Sequence, residues 1–422
     1  MNTTFAVVSL IVLIAAIAVG YFSKLNTGLI CIAVAMILGH IVGMSDKEII
    51  AGFGAKLFLQ LMGVMFLFSV ANENKSLEGI AKRAVALAGK NTFLIPLICY
   101  FVALGLAAIG CGCVPVMSLM AVFCAALAVE MKCNPILLIP MGLLGAQGGG
   151  TTPLTTTGIL GANLAAENGI VENVATGLTG GQMIVSTLFA IVLYFILGGH
   201  KIRCENPIKW SDIPKLTANQ ILSLVAILVV AIAVMFFKLD VGLCGFVAGV
   251  ILLLFKCAPQ KPVIAGIPWS TLILVSGVGI LMNVVMKTGG IDLLAQGLAA
   301  IMTEKTATPL ISLTAGVMSW FSSTSGVVMP TLIPTVAPLL EALGETSVTA
   351  TALVTAITAS AHTAGNSPIS TGGALGLASY CGLTHCGADE ERKLFIKLFG
   401  VAALGVVFCV IFAFIGGFSW IA

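Results

Sequence analysis

The sequence predicts an all-α polytopic membrane protein of about ten transmembrane helices, arranged as two inverted repeats that each hold a re-entrant hairpin and a broken helix. Three observations predict it. Of 422 residues, 59% are hydrophobic and 9% charged, whereas soluble domains carry about 25% charged residues. Apolar runs of membrane-crossing length recur from end to end, and the chain repeats itself at a near-constant offset. A net charge of +3, with no run of five like charges, excludes nucleic acid as the expected partner and leaves membrane lipid.

The first repeat is assigned to residues 1–198. Its scaffold helices occupy 5–72, as apolar runs at 5–22, 27–43 and 56–72. No basic segment precedes Phe5 and no small-residue cleavage site follows the first run, so it reads as a retained helix. A partly charged stretch, 73–92, reads as an interfacial arm. The hairpin 93–130 has two apolar arms around Cys111-Gly112-Cys113. A broken helix, 135–165, is interrupted within GGGTTPLTTTG (148–158), and a helix at 180–198 closes the repeat.

Residues 199–218 carry four basic residues, Trp210 and two prolines, and are expected as a cytoplasmic linker. The second repeat, 219–422, runs in the same order. Its scaffold occupies 219–286 (runs 219–236, 240–255 and 269–286), followed by the arm 287–306 and the hairpin 307–341 around SSTSG (322–326). The broken helix 349–380 contains TAGNSPISTGG (363–373), and the last helix is 395–418. This topology places fifteen basic residues on one side and only Lys47, Lys56, Lys238, Lys287 and Lys305 on the other. That bias predicts a multi-pass protein of the inner (plasma) membrane with both termini outside.

The repeat is visible in the residues. Leu25-Asn26-Thr27-Gly28-Leu29 matches Leu239-Asp240-Val241-Gly242-Leu243, and Gly63-Val64 matches Gly277-Val278, both 214 positions apart. Val114-Pro115 matches Met329-Pro330, and Thr152-Pro153-Leu154 matches Ser367-Pro368-Ile369, both at 215. Five crossings per repeat, an odd number, invert one half against the other. Inverted repeats with interrupted helices point to a secondary transporter and its midplane site.

Pro153 and Pro368 each remove a backbone donor inside an apolar helix, and Gly148, Gly149, Gly150 and Gly365 favour unwinding there. Broken backbone is not tolerated against lipid, so each break is expected to line a buried cavity. The half-helix that follows offers free N–H groups to an anion. Thr151, Thr152, Thr155 and Thr156 in the first break, and Asn366, Ser367, Ser370 and Thr371 in the second, add side-chain donors. The runs 134–166, 306–340 and 346–388 hold no charged residue. A bound anion would therefore be held by hydroxyls, amides and dipoles, with cations as co-ligands. Carbonyls freed near Gly149, Gly150, Ala364, Gly365 and Asn366, and at the hairpin tips, suit sodium. The competing reading makes the prolines structural kinks whose hydroxyls bond back to helix backbone. Gln147 and His362 stand at matching positions before the breaks. As a proton or polar switch, or as a neutral hydrogen-bonding pair, they leave both readings open.

Other polar residues carry less. His40 is expected near a helix end without a role, and Asn283 is expected to join helices. Five of the twelve cysteines (Cys31, Cys99, Cys124, Cys244 and Cys409) lie in apolar spans, and no disulfide framework is expected. Cys381, His385 and Cys386 form a small cluster, a candidate metal site without zinc-like spacing. No HExxH, GxSxG, Walker motif or paired intramembrane carboxylate is found, so an enzyme is not expected.

At these motifs the chain resembles the malonate/dicarboxylate carrier branch of the ion transporter superfamily, related to divalent anion:sodium symporters, over nearly all of both repeats. In that superfamily Ser-Asn-Thr hairpin tips and Gly/Thr-Pro broken helices hold carboxylates and sodium, and the proteins are dimers that use an elevator motion. The resemblance implies import of a small C3/C4 dicarboxylate such as malonate or succinate, coupled to sodium, by a homodimer with no other cofactor. Carried onto this sequence, the substrate residues are Thr151, Thr152, Pro153, Thr155, Ser323, Thr324, Ser325, Asn366, Ser367, Pro368, Ser370 and Thr371. Ser323-Thr324-Ser325 keeps the hydroxyl character of the second tip. Cys111-Gly112-Cys113 departs from the pattern at the first, which leaves that cation site to backbone carbonyls. A proton-coupled monocarboxylate permease, or a cation/proton antiporter, on the same scaffold is the alternative.

Overall fold

The computed structural model describes residues 3–23, 25–89, 91–202, 210, 213–344 and 346–421. Lys24, Lys90, Arg203 and Lys209 of the basic side, and residues 203–209 and 211–212 of the expected linker, lie outside them. Among the described residues all regular structure is helical.

The first half runs α1 (Thr3–Ser23), α2 (Thr27–Ile41), α3 (Asp46–Ala51), α4 (Ala55–Glu73), α5 (Ser76–Ala86), α6 (Ile95–Leu106), α7 (Cys113–Glu130), α8 (Pro135–Gly149), α9 (Thr156–Glu167), α10 (Val174–Thr176) and α11 (Gln182–Ile196). The second runs α12 (Ala218–Phe237), α13 (Val241–Leu254), α14 (Gln260–Ala265), α15 (Trp269–Lys287), α16 (Gly290–Ala299), α17 (Ala307–Trp320), α18 (Met329–Leu332), α19 (Val336–Leu343), α20 (Ala350–Ala364), α21 (Thr371–Thr384), α22 (Ala388–Phe414) and α23 (Gly417–Trp420).

The sequence offset reappears in the helix starts. Thr27 and Val241, Asp46 and Gln260, Ala55 and Trp269, and Ser76 and Gly290 each stand 214 positions apart. Local chemistry sets these starts. Asn26 and Asp240, at matching positions, accept from the backbone N–H of Gly28 (2.9 Å) and Leu243 (3.0 Å), satisfying donors the helix leaves open.

The two halves cross through their matched glycines. α2 packs on α15 and α4 on α13. A Cβ on Gly277 would stand 2.2 Å from the Gly28 carbonyl oxygen, and one on Gly63 would stand 2.0 Å from that of Gly242. Only glycine permits such backbone approach. Hydrogen bonds repeat the pattern: Asn74 Nδ2 donates to Ser223 Oγ (2.7 Å), and Thr288 Oγ1, its counterpart at the same offset, donates to Ser9 Oγ (2.7 Å).

Eight helical segments among the described residues are long and apolar enough to cross a membrane. They include the hairpin arms 92–111, 113–130 and 324–343, whereas α2, α8 and α13 are shorter apolar helices. Length alone therefore does not separate hairpins from crossings. The first turn needs positive φ at Gly110 (115°) and Gly112 (78°), which puts its sharpest point one residue before the expected Cys-Gly-Cys. Both arms of this hairpin pack on α8. The expected arms 73–92 and 287–306 contain α5 and α16, each burying one side (Leu77, Ala81 and Val85; Ile291 and Ala295).

One expectation is corrected. Cys381 and Cys386 are joined as a disulfide, their Cα atoms 5.0 Å apart across the turn at His385. They are thus neither free metal ligands nor evidence against disulfides in this chain. His40 lies in the last turn of α2, near the helix end as expected, with its Nε2 3.1 Å from Asp46 Oδ1. Asn283 does join helices: its Nδ2 donates to the Glu48 carbonyl at 2.7 Å, tying α15 to α3.

Candidate functional site

The broken helices separate where proline and glycine cluster. Between α8 and α9, Thr155 caps the new half-helix by accepting from Gly158 N–H at 3.2 Å. Its hydroxyl lies 2.6 Å from the Gly150 carbonyl oxygen and 2.7 Å from that of Thr152. Thr152 Oγ1 donates to the Ala108 carbonyl of the first hairpin at 2.8 Å. Between α20 and α21, Ser367 Oγ accepts from Ile369 N–H (3.2 Å) and donates to the Trp320 carbonyl (3.4 Å). Ser370 Oγ reaches the Ser322 carbonyl only at 3.5 Å.

Both breaks rely on a glycine in the first turn of the second half-helix. A Cβ on Gly158 would stand 2.1 Å from the Thr152 carbonyl oxygen, and one on Gly373, its counterpart at 215, would stand 2.2 Å from that of Asn366. Each carbonyl folds back over its half-helix, an approach that no side chain allows.

The breaks and hairpin turns converge on one cavity of about 40 Å³, room for about three waters. Gln147 and Thr157 come from the first broken helix, Cys113, Val114 and Met117 from the first hairpin, Ser323, Thr324 and Ser325 from the second turn, and His362, Gly365, Ser370, Thr371 and Gly372 from the second broken helix. Among the described residues no Lys, Arg, Asp or Glu lines it. Behind the wall, Asn366 Nδ2 donates to Gln147 Oε1 (3.2 Å) and to the Thr363 carbonyl (3.0 Å), while its buried Oδ1 has no partner. His362 Nδ1 lies 2.8 Å from the Thr358 carbonyl. A carbonyl only accepts, so Nδ1 carries the proton and Nε2 is the nitrogen left for the cavity. The second turn is tied to α20 by Ser319 Oγ and Thr324 Oγ1, which both donate to the Ala361 carbonyl at 2.7 and 3.0 Å.

The expected site residues therefore divide. Ser323, Thr324, Ser325, Gly365, Ser370, Thr371, Gln147, His362 and Cys113 meet at the central cavity. Thr151 and Pro153 line a different one, behind the first break. Thr155 uses its hydroxyl on carbonyls of its own break, and Thr152 on the Ala108 carbonyl of the first hairpin. Asn366, Ser367, Pro368 and Ala364 are buried around the second break. Gly149 serves packing, since a Cβ there would stand 2.1 Å from the Leu104 carbonyl oxygen, and Gly150 backs onto Cys113. Cys111 and Gly112 form the buried first turn, with Gly112 against Thr156. Val114, Met117 and Thr157 were not legible as lining residues, because nothing local marks which side of a helix faces a cavity.

Glu172 was also missed. From the loop after α9 its carboxylate accepts from Ala350 N–H (3.1 Å), Thr351 N–H (2.8 Å) and Thr351 Oγ1 (2.6 Å), capping α20 across the repeat boundary. Partial burial pushes its pKa up, but the Thr351 and Ala350 hydrogen bonds outweigh this and hold the carboxyl below its usual range.

Comparison with known proteins supports the resemblance. Residues 1–150 match the family described as "Dicarboxylate carrier protein MatC N-terminus". No curated protein matches the chain. The Alcanivorax borkumensis YdaH transporter, described as having an unusual topology, is similar at a TM-score of 0.55 and 14% identity, over 87% of this chain and 86% of that one. Neisseria gonorrhoeae MtrF, placed in a class of antimetabolite efflux pumps, is similar at 0.58 and 14%, over 87% and 82%. At such identities the likeness is one of fold.

Proposed function

We propose that this chain is a secondary active transporter that imports a small C3/C4 dicarboxylate, such as malonate or succinate, in symport with sodium. The observation that carries the reading is the central cavity, where two broken helices and two hairpin turns converge without one fixed charge among the described residues. Hydroxyls and half-helix N-termini suit carboxylates, and the Asn366 Oδ1, unpartnered among the described residues, suits a cation. The family match over the first 150 residues supports the substrate class.

In this reading the hairpins enter and leave by one face, and the two halves lie inverted in the inner membrane. Hairpin and broken helix of each half move together, while α1–α4 and α12–α15 form the scaffold of a homodimer. Sodium follows from charge. A dianion entering against an inside-negative potential is opposed by about 2.3 kcal/mol per charge per 100 mV. Two cations neutralise it; a third lets the potential favour entry.

Uptake of labelled malonate or succinate into proteoliposomes is expected to collapse when choline replaces sodium at fixed pH. Undiminished uptake, lost only when a proton gradient is dissipated, overturns sodium coupling. That outcome favours the second reading, a proton-coupled carboxylate carrier, to which His362 in the cavity wall gives its one specific support.

A further inference from the structure

Behind the first break lies a second cavity, of about 380 Å³, within the range of small-ligand pockets. Its wall differs from the central one in carrying charge. Lys56 on α4 and Lys238 at the α12–α13 turn face it, and Thr151 lines it from the break. Neither ammonium is in an ion pair among the described residues. Thr151 is 1% exposed, and its hydroxyl, without a hydrogen-bond partner among the described residues, is closed off from the cavity.

Asp240 is the one carboxylate in this wall, and its oxygens are engaged. Oδ1 accepts from Leu243 N–H at 3.0 Å and Oδ2 from Gln60 Nε2 at 2.7 Å. Gln60 Oε1 in turn accepts from Asn163 Nδ2 at 3.1 Å, so a chain of side chains joins α13, α4 and α9 along the wall. Glu167 feels Lys56 electrostatically but lines a neighbouring cavity. The charge left available to a ligand is positive.

We infer that this cavity is a second, peripheral carboxylate site, which captures the dianion from solution through Lys56 and Lys238. The ligand class rests on the dicarboxylate reading above, whereas the site rests on its own residues. A pair of ammonium groups at the mouth of a low-dielectric cavity raises the local concentration and on-rate of an anion, and the effect falls with salt. The central cavity, without fixed charge, lacks that sensitivity.

The test is equilibrium binding of labelled malonate to the purified full chain, at low and at physiological ionic strength with sodium held constant. The wild type is expected to show two components, one weakened about tenfold by salt and one insensitive to it. Lys56→Gln with Lys238→Gln should remove the salt-sensitive component alone, and Lys56→Arg with Lys238→Arg should keep it. Ser323→Ala with Ser370→Ala should remove only the insensitive one. A salt-sensitive component that survives the double Gln variant overturns the peripheral site, as does its absence from the wild type. A salt-sensitive component that the lysines control, with no second component, upholds the peripheral site and sinks the central-cavity reading. No malonate binding at all sinks both.

Discussion

The two breaks share a backbone and divide the work. At the first, Thr152 and Thr155 turn their hydroxyls onto carbonyls 2.6–2.8 Å away, and Thr151 faces the charged outer cavity. At the second, Ser370 has only a 3.5 Å contact, and it meets Thr371 and the Ser323-Thr324-Ser325 turn around the central cavity. Equal spacing of proline, glycine and hydroxyls thus produces equal unwinding without equal chemistry. Pseudo-symmetry governs the main chain; the neighbouring hairpin decides whether a hydroxyl is spent on protein or left for a ligand.

The comparison breaks most violently at its glycines. Gly158→Ala and Gly373→Ala each place a Cβ within 2.1–2.2 Å of a backbone carbonyl oxygen. Each should destabilise the protein by roughly 3 kcal/mol or more, read as a large fall in melting temperature of purified protein. An unchanged melting temperature in either variant would show that its break is free to relax, and that the two are not alike.

A sharper contrast comes from the hydroxyls. Ser370→Ala should reduce uptake at least about tenfold, the loss of a hydrogen bond to a charged group at roughly 1.5–3 kcal/mol, with little change in melting, since its hydroxyl caps no helix. Thr155→Ala should do the reverse, lowering stability by about 1 kcal/mol as a lost helix cap while the cavity keeps its lining. If Thr155→Ala abolishes uptake in a protein that melts normally, the first break binds substrate after all.

The smallest effect tests the cap that the first half lends the second. The Glu172 carboxyl is held below its usual range, so its stabilising contribution is present above its unfolded pKa of about 4.3 and is lost as pH falls through the lower folded value. Glu172→Gln should therefore melt lower than wild type near neutral pH, by no more than about 1 kcal/mol because the site is solvent-exposed. The gap should close in acid. A gap that widens on acidification would contradict the sign of this argument.

Much of the fold was legible because its signals are local. Hydropathy marked some helices to within a few residues, as with 269–286 against Trp269–Lys287, and others less closely, as with 395–418 against Ala388–Phe414. The offset of 214, read from Leu25–Leu29 and Leu239–Leu243, recurs in helix starts, caps and the Gly63–Gly242 and Gly28–Gly277 crossings. The candidate site was legible only in part. Both breaks fell where proline and glycine put them, yet Lys56, Lys238, Gln60, Asn163 and Glu172 gave no signal, each lying far along the chain from what it meets.

By itself the sequence determined the membrane class, the repeat and the two interruptions, because burial in lipid, a missing N–H and a missing Cβ act on a residue whatever its neighbours are. Only the tertiary structure decided which hydroxyls of the twin motifs remain free, which cavity each faces, and that Cys381 pairs with Cys386. Those outcomes depend on which carbonyl, ammonium or thiol a distant segment brings within about 3–4 Å, the range over which hydrogen bonds and contacts act.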